Sequence, residues 1–335
     1  MPQALLTKSC CSNVKIQYIT LKKIYFHRQY NAFSGGHLKV FDYFEHIKHS
    51  NAFSPKVYLT PDSVMDKHNL WFDNKDCIIN HWRPADADAL FLAGDDWESL
   101  PIAERFDFPK PVINLIQGFR HAKPDNLTFN YLSYRAIRIF VGEEVANAVR
   151  NTGRINGPSF IITNGIDLDY IRLYSKKRNE RDIDLLIVGI KNPDLARSLA
   201  QNCAKLKIRV QCLDMQIPRE ELLAIMGNSR VTIFLPLSQE GFYLPVLEGM
   251  ALETLVVCPL FEGNKTLYKD GFNCLMPEYS QDAIFKKIKI ALLMPDNILN
   301  QLLDHALLSA QSRPLEQERS QFLNILNQIY DLWER

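Results

Sequence analysis

The same pattern of apolar positions occurs in each half of this chain. Short continuous apolar runs alternate with segments in which apolar residues recur every three or four positions. Continuous runs are typical of parallel strands buried on both faces, whereas the wider spacing is typical of amphipathic helices. The predicted strands are 23–27, 56–59, 89–92, 111–116 and 137–141 in the first half, and 183–188, 208–212, 231–235 and 254–258 in the second.

The segments between these strands predict helices. The first covers 37–50, directly after Gly35 and Gly36, and carries an apolar stripe at Leu38, Phe41, Phe44 and Ile47. The second half adds helices at 194–206, 219–226 and 244–252. Strands that alternate with helices predict a parallel sheet with right-handed crossovers, so we expect an α/β protein with a Rossmann-like sheet in each half.

The boundary between the halves is expected near a turn at Asn164 and Gly165, which precedes the charged run 176–184. After Pro314 the chain predicts a single amphipathic helix, which should pack back against a surface that the other elements leave open. Its apolar face carries Phe322, Leu326, Ile329 and Trp333. The predicted units are 1–165, 166–312 and a helical tail of 313–335 that could cross back to the first domain.

Composition narrows the class of protein. The 335 residues suit two domains better than one, and 47% hydrophobic with 23% charged residues is ordinary for a soluble globular chain. With 39 Lys and Arg against 38 Asp and Glu, the net charge of +1 argues against a broad nucleic-acid-binding face. The seven cysteines show no C-x-x-C spacing, and no 18-residue apolar run or signal-peptide core is present. We therefore expect reduced thiols and a cytoplasmic location.

The segment 234–252 is the most informative for chemistry. A predicted strand ends in a loop and a helix follows from about Leu244, with Glu240 in the loop and Glu248 in the helix. The N–H groups of Phe242, Tyr243 and Leu244 would be unpaired at the helix start, where they could bind a phosphate. Each carboxylate can accept hydrogen bonds from two vicinal hydroxyls of a sugar.

This segment resembles the E-x7-E motif of retaining glycosyltransferases of the GT-B fold, particularly family 4. Three other segments are similar to motifs of that family, in the family's order: TNGID at 163–167, IDLLIVGIKNP at 183–193 and FEGNKTLYKDGFNCLMP at 261–277. The resemblance covers about 160–295 well and the first half only by architecture and its double glycine. It implies two Rossmann-like domains that face each other across a cleft.

The resemblance also implies roles for individual residues. Glu248 would bind the ribose of a nucleotide and Glu240 the hydroxyls of the transferred sugar. The diphosphate would lie against the loop and helix start, formed by Gly241, Phe242, Tyr243 and Leu244. Gly189 would end the first strand of the donor domain. The base would lie against 213–218, represented by Ile217.

Two departures from the family concern the diphosphate and the sugar. Where the family usually has an Arg and a Lys after Gly189, this chain has Ile190 and Leu195, so that Lys191 or Arg197 would have to supply the positive charge. Tyr243 stands where the family prefers Gly, and its side chain could crowd the sugar pocket or stack on the ligand. In the loop that follows, Asn264 and Lys265 replace a run of small residues and could reach the diphosphate.

In the first domain, the resemblance places Gly35, Gly36 and His37 beside the acceptor, across the cleft from the diphosphate. Arg120 and His121 follow a strand and would contact the donor sugar or the acceptor, whereas surface-loop roles remain open for both. His81 is a weaker candidate of the same kind. Four aspartates near the strand 89–92 are interpreted as loop and cap residues, and no metal site is predicted: Asp86, Asp88, Asp95 and Asp96.

The function implied is transfer of a sugar, with retention, from a nucleotide-diphosphate sugar to a hydroxyl of a glycan or lipid-linked acceptor. Neither a metal nor another cofactor would be required, and the departing phosphate itself would deprotonate the acceptor. Surface polysaccharide or glycoconjugate synthesis is the expected setting. Two alternatives stay open: a nucleotide-sugar epimerase of the same architecture, and a non-catalytic nucleotide-sugar-binding relative.

Contact with a membrane also stays open at this point. Residues 1–50 carry seven Lys and Arg against two Asp and Glu, interleaved with aromatic and aliphatic residues. Such a segment could lie against the anionic cytoplasmic leaflet. A buried first strand with solvated flanks would give the same composition.

Overall fold

The first domain is built on a six-stranded parallel sheet. The computed structural model describes residues 4–5, 17–18 and 20–335, and the side chains of the first four of these and of Asn264 are outside the description. Two short strands, β1 (Ala4–Leu5) and β2 (Gln17–Tyr18), pair antiparallel ahead of the sheet. The sheet has the order β4-β3-β5-β6-β7-β8. Its strands are β3 (Lys22–Arg28), β4 (Phe53–Leu59), β5 (Ala89–Ala93), β6 (Val112–Ile116), β7 (Ile137–Phe140) and β8 (Ser159–Ile161).

Five of these strands coincide with the predicted apolar runs. Every residue of β5, β6 and β7 is buried, which explains why they read as continuous runs rather than alternating ones. The edge strand β8 was missed because its three residues are only half-buried and too few to form a pattern. The helices of this half and of the segment that follows it are α1 (Gly35–Lys48), α2 (Ile102–Arg105), α3 (Leu127–Asn130), α4 (Glu143–Arg150) and α5 (Leu168–Arg172).

The helix α1 begins two residues earlier than the sequence predicted. Ser34 is its N-cap, and the Ser34 hydroxyl accepts a hydrogen bond from the N–H of His37. The two glycines therefore form the first turn of the helix rather than a separate loop. This brings His37 to the same end of the sheet as the residues that follow β3.

The second domain has four parallel strands in the order β10-β9-β11-β12. Its strands are β9 (Ile183–Val188), β10 (Val210–Leu213), β11 (Ser229–Phe234) and β12 (Leu255–Val257). Its helices are α6 (Pro193–Cys203), α7 (Arg219–Gly227), α8 (Leu244–Ala251), α9 (Gln281–Leu292) and α10 (Asp296–Gln311). All four predicted strands are present, although β10 begins at Val210 because Lys207 turns the chain with a φ of 55°. The predicted pair of parallel α/β sheets is thus confirmed.

The tail forms two helices, so the prediction of a single helix was wrong. They are α11 (Leu315–Asn327) and α12 (Ile329–Glu334), and the chain leaves helical geometry at Gln328, with φ −107° and ψ 11°. Both helices pack on the core of the first domain. The ring of Phe322 meets the ring of Tyr43 edge-on, with 4.8 Å between centroids. The first domain is therefore completed by the last residues of the chain.

A buried cluster of charges joins the tail to the first domain. The Lys39 ammonium on α1 lies 2.6 Å from Glu318 Oε2 on α11 and 2.7 Å from Asp42 Oδ2. Oε1 of Glu318 lies 3.1 Å from His46 Nε2. Oε2, which pairs with Lys39, also accepts a hydrogen bond from the N–H of Gly165. Burial raises the pKa of Glu318, but the Lys39 ammonium and His46 outweigh it and hold that pKa below its usual value. Glu318 is therefore ionised at neutral pH, and its charge is compensated from two segments, α1 and the turn at Gly165.

The two chain segments that connect the domains run side by side at this cluster. The N–H of Ile166 donates to the Arg313 carbonyl at 2.9 Å, and the N–H of Leu315 donates to the Ile166 carbonyl at 3.0 Å. A Cβ at Gly165 would lie 2.8 Å from the Pro314 carbonyl oxygen, so only glycine permits this approach. The predicted turn at position 165 is thus the point where the chain leaves the first domain and later returns to it.

Basic residues in the described part of the first fifty are divided between the surface, with Lys22 and Lys23, and the interior. Lys39 and Arg28 are buried ion-pair partners, and Ile24, Phe26 and Tyr30 belong to the core. Lys8 and Lys15 lie outside the described residues. A buried strand with exposed lysines at its start is thus present, and contact with a membrane stays a prediction.

Two further expectations concern thiols and membrane spans. The thiols of Cys77, Cys203, Cys212, Cys258 and Cys274 are all free. Cys10 and Cys11 are among the residues that the structure does not describe. Within the described part of the chain, no helix has both the length and the apolar character needed to cross a bilayer.

Substituting Glu318→Gln tests the junction cluster. The change leaves the buried Lys39 with only Asp42 as a carboxylate partner, and we expect a loss of about 3 kcal/mol in the free energy of unfolding at pH 7. Because the pKa of Glu318 is lower in the folded chain, its contribution is complete above its unfolded value of about 4.3 and is lost as the pH falls through the folded value. The difference between variant and wild type should therefore shrink in urea titrations at acidic pH.

The control is Glu316→Gln, two positions away on α11. Its carboxylate pairs with Arg319 at 3.1 Å and is 74% exposed, so the loss should be less than about 1 kcal/mol. Equal losses in the two variants would contradict a special role for the buried pair.

Candidate functional site

The carboxyl ends of the two sheets face each other, and the loop 238–242 touches the first domain. A Cβ at Gly241 would overlap the carbonyl oxygen of Gln117, which follows β6. A Cβ at Gly35 would lie 3.5 Å from Cδ1 of Leu244, the first residue of α8. The double glycine thus lies directly across from the start of α8. The glycine at position 241 permits the two backbones to come close.

The start of α8 has free N–H groups, as the sequence predicted. Its N-cap, Tyr243, provides no side-chain hydrogen bond to the helix, and Pro245 occupies the first turn. Among the described residues, none accepts a hydrogen bond from the N–H of Phe242, Tyr243 or Leu244. These groups and the positive end of the helix dipole can therefore stabilise an anion.

Two of the predicted catalytic side chains lie together beside this helix start. Lys191 follows β9, and its Nζ lies 3.6 Å from Oε1 of Glu240. The Glu240 side chain is 17% exposed, and this Oε1 atom is buried without a hydrogen-bond partner among the described residues. A buried carboxylate oxygen without a hydrogen bond is costly, and hydroxyl groups of a ligand would satisfy it. Lys191 is half-exposed.

Glu248 is held by an arginine that the sequence analysis missed. The Arg219 guanidinium, in the first turn of α7, donates to Glu248 Oε1 from Nη2 at 2.9 Å and from Nε at 3.2 Å. Both side chains are nearly buried, with 12% and 4% exposed. Burial lowers the pKa of Arg219, but the neighbouring carboxylate outweighs it and raises that pKa. Arg219 therefore fixes the position of the Glu248 carboxylate.

The side chain of Tyr243 neither crowds the cleft nor presents a stacking face, so both expectations for it were wrong. Its ring is buried in the second domain, between the rings of Phe234 and Phe261 at centroid distances of 6.1 and 6.2 Å. Burial raises the pKa of its hydroxyl well above the usual value. The larger residue is accommodated because α8 starts with the ring turned into the core. Phe242 is half-buried and packs against both domains.

Of the remaining residues predicted to bind the donor, some are packed in the second domain and one lies in a surface ion pair. Gly189 packs so tightly on α6 that a Cβ would overlap Ala196, and Ile217 is half-buried against the core of the second domain. Lys265 pairs with Glu262 at 2.8 Å on the surface. The side chain of Asn264 lies outside the described residues.

Arg197, the other residue that could supply the missing positive charge, is paired with two aspartates. Its guanidinium lies 2.6 Å from Asp194 and 2.7 Å from Asp214, and about half of the side chain is exposed. It is held in a surface ion-pair network. Of the two substitutes that the sequence offered, only Lys191 lies beside Glu240.

A polar cavity of about 620 Å³ opens at the carboxyl end of the first sheet. It is lined by residues that follow β3, β4, β5 and β6, among them the predicted Gly36, His37 and Arg120. At its base, Arg28 Nη1 donates to Asp96 Oδ2 at 2.6 Å, and Arg28 Nη2 donates to His37 Nδ1 at 2.9 Å. Arg28 and Asp96 were not recognised as site residues because one ends a strand and the other caps the next turn.

The two histidines of the cavity are neutral at pH 7. Burial, reinforced by the charge of Arg28, lowers the pKa of both His27 and His37 to about 4. Because Nδ1 of His37 accepts the hydrogen bond from Arg28, its proton resides on Nε2. His37 therefore presents a donor rather than a base.

His121 does not line the cavity, and its contact with a ligand stays a prediction. It is only 2% exposed, and its Nδ1 lies 3.3 Å from the Gly118 carbonyl oxygen. Burial, helped by the charge of Arg120, lowers its pKa to about 3. Arg120 itself reaches the cavity, 3.8 Å from Asp95. His81 is exposed in a loop outside the lining.

The aspartates near β5 are loop and cap residues, as interpreted from the sequence. Asp88 accepts a hydrogen bond from the N–H of Lys23 at 2.7 Å, and Asp96 accepts one from the N–H of Ala93 at 2.8 Å. Asp86 and Asp95 are exposed. Across the described residues, no three His, Cys, Asp or Glu side chains are grouped so as to hold a metal ion.

Comparison with known proteins supports the resemblance to glycosyltransferases through a family model and through the fold. Residues 168–304 match the model for glycosyl transferases group 1. No curated protein sequence matches the chain. Because the family model covers the second domain, the sequence evidence is strongest where α8 and Glu240 lie.

Solved structures resemble the whole chain at 13% sequence identity. A glycosyltransferase from Rickettsia africae gives a TM-score of 0.66 over 92% of this chain and 99% of that one. Sucrose-phosphate synthase from Thermosynechococcus elongatus gives 0.67 over the same shares. HepE from Anabaena, solved in complex with UDP-glucose, gives 0.70 over 91% and 99%. The fold is that of GT-B glycosyltransferases.

Substituting Gly241→Ala tests the contact across the cleft. The added Cβ would overlap the Gln117 carbonyl, and we expect a cost of about 1–3 kcal/mol in the free energy of unfolding. Hydrogen exchange of the amides in the loops 117–121 and 238–242 should become faster. Gly118→Ala is the matched control, because a Cβ there meets nothing within 4 Å and Gly118 has an extended φ of −163°. Normal exchange in Gly241→Ala would contradict the contact.

Substituting Arg219→Met tests the positioning of Glu248. The change leaves a buried carboxylate without its guanidinium, and we expect a loss of about 3–5 kcal/mol of stability. The double variant with Glu248→Gln should recover part of this loss, since no uncompensated charge then remains. A double variant less stable than Arg219→Met alone would show that the unpaired Glu248 carboxylate does not cause the loss of stability.

Proposed function

We propose that this chain is a retaining glycosyltransferase that moves a sugar from a nucleotide-diphosphate sugar to a hydroxyl of a glycan or lipid-linked acceptor. The observation that carries the proposal is the placement of Lys191 and Glu240 beside the open start of α8, directly across from the double glycine and the polar cavity. The group 1 family model over the second domain supports it. The similarity of fold to HepE in complex with UDP-glucose is consistent with a nucleotide-sugar donor.

In the proposed reaction, the donor binds to the second domain. The diphosphate lies at the N–H groups of Phe242, Tyr243 and Leu244, and Lys191 neutralises it further. Glu248, oriented by Arg219, accepts hydrogen bonds from the ribose hydroxyls. Glu240 accepts hydrogen bonds from hydroxyls of the transferred sugar, which would satisfy its unpartnered Oε1.

Catalysis consists of positioning and of stabilising the departing diphosphate. The bond between the anomeric carbon and the phosphate oxygen breaks, and the acceptor oxygen attacks from the same face. The acceptor proton passes to the leaving phosphate. No protein base is needed, which agrees with a neutral His37 whose Nε2 already carries a proton. Metal independence is part of the proposal, since the helix start and Lys191 supply the positive charge.

Two competing functions make different predictions. A nucleotide-sugar epimerase of the same fold needs no acceptor, whereas the polar cavity opposite α8 favours an enzyme that binds one. A non-catalytic binding protein is favoured by Ile190 and Leu195, which replace the Arg and Lys of the resembling family. It would bind the nucleotide without forming product.

Thermal unfolding with UDP, GDP, ADP, CDP and dTDP, with and without a chelator, tests donor binding. At a hundredfold excess over Kd, a bound nucleotide stabilises the chain by about 2.7 kcal/mol. We expect one nucleotide to raise Tm by several degrees, to do so in the presence of chelator, and to lose this effect in Glu248→Ala. A stabilised chain that consumes no donor would identify the non-catalytic alternative.

Turnover of the matching nucleotide sugar tests the catalytic residues. Glu240→Gln and Lys191→Met should each lower kcat by about 100-fold or more, because each removes an interaction with charge or hydroxyls in the transition state. Lys286→Met, on the exposed face of α9, is the control and should retain wild-type turnover. Full activity of either site variant with an intact fold would refute the assigned role.

A further inference from the structure

Charged side chains of both signs line the polar cavity. Two arginines, Arg28 and Arg120, face three carboxylates, Asp95, Asp96 and Glu98. The remaining polar lining is neutral, including the two histidines, whose protons are lost well below pH 7. The formal charge of the lining is therefore negative by one.

Neither arginine is left without a negative partner. Arg28 is 8% exposed and donates to both Asp96 and His37, so its guanidinium is occupied within the wall of the cavity. Arg120 is about half exposed and lies 3.8 Å from Asp95, which is also exposed. An entering anion would compete with carboxylates that are already in place. It would also meet Glu98 at the same surface.

Several lining groups are suited to hydroxyls. His37 presents an N–H at Nε2, while Gln29, Ser34 and Gln117 each donate and accept hydrogen bonds. The carboxylates accept from hydroxyl groups, which in turn have oxygens to offer to the donors. Among the described residues, the only aliphatic side chain of the lining is the methyl group of Ala93, so an apolar tail would find no matching surface. The volume of about 620 Å³ lies within the usual range of small-ligand sites, about 300–1,000 Å³.

We propose that this cavity takes the uncharged, hydroxyl-rich end of an acceptor glycan and discriminates against acceptors whose terminal unit carries a carboxylate or a phosphate. The name acceptor rests on the proposed function, whereas the preference for a neutral polyol rests on the cavity alone. An acceptor that is linked to a lipid would place its terminal sugar here and its lipid outside.

Binding of matched methyl glycosides to the full-length chain tests the preference. Each pair has one ring configuration (gluco, galacto or manno) and differs only at C6, with a CH₂OH in the neutral member and a carboxylate in the uronate. Titration followed by saturation-transfer NMR, in the presence of the stabilising nucleotide, gives Kd without requiring turnover. We expect at least one neutral member to bind, and to bind about tenfold more tightly than its uronate.

The variant Asp95→Asn tests whether the charge balance of the cavity causes the preference for neutral glycosides. It removes one carboxylate and releases Arg120, so the ratio of uronate to neutral affinity should rise by about threefold to fivefold. Asp107→Asn is the matched control, because Asp107 forms an equally exposed pair with Arg135 at 3.7 Å outside the cavity. Its ratio should equal that of the wild type.

The outcomes separate this inference from the proposed function. Tighter binding of a uronate or of a sugar phosphate to the wild type overturns the inference, and so does failure of every neutral glycoside to bind at saturating soluble concentration. An unchanged ratio in Asp95→Asn also overturns it. If neutral glycosides bind and the ratio shifts but no sugar is transferred, the inference holds and the proposed function fails.

Discussion

The attachment of the returning tail to the first domain depends on the buried ion pair between Lys39 and Glu318. It joins the first helix of the chain to the returning tail, and the same carboxylate accepts a hydrogen bond from Gly165, where the chain leaves the first domain. All three segments are thus tied at one buried point. A charged pair in this place is costly to desolvate, so its fit depends on the extra partners Asp42 and His46.

The two sides of the cleft use charge in different ways. On the side of the second domain, Glu240 keeps an oxygen without a hydrogen bond and Lys191 is half-exposed, so both are ready for a ligand. On the side of the first domain, Arg28 is already engaged by Asp96 and His37. A pyrophosphate-bearing ligand and a neutral one therefore suit opposite walls. This division makes it harder for either ligand to bind in the place of the other.

Much of the fold could be predicted from the sequence because its strands are buried on both faces. Such strands leave an apolar run that is readable without any knowledge of their neighbours, and nine of the ten parallel strands were recognised in this way. The break at Gln328 and the early start of α1 were missed because they depend on local capping and packing. Tyr243 was misjudged since its ring packs against Phe234 and Phe261, which no local pattern reveals. The Arg219–Glu248 pair joins residues 29 positions apart and was invisible for the same reason.

The crossing of the tail has a consequence for the order in which the protein can fold during synthesis. The core of the first domain includes Phe322, Leu326, Ile329 and Trp333, so it lacks part of its wall until the last residues have been made. At about 5–20 residues per second, the ribosome needs roughly ten to thirty seconds to extend the chain from the end of the first sheet to that point. The second domain can be completed during this interval, from a contiguous stretch of chain. The domain that is synthesised first is therefore the one that must be finished last.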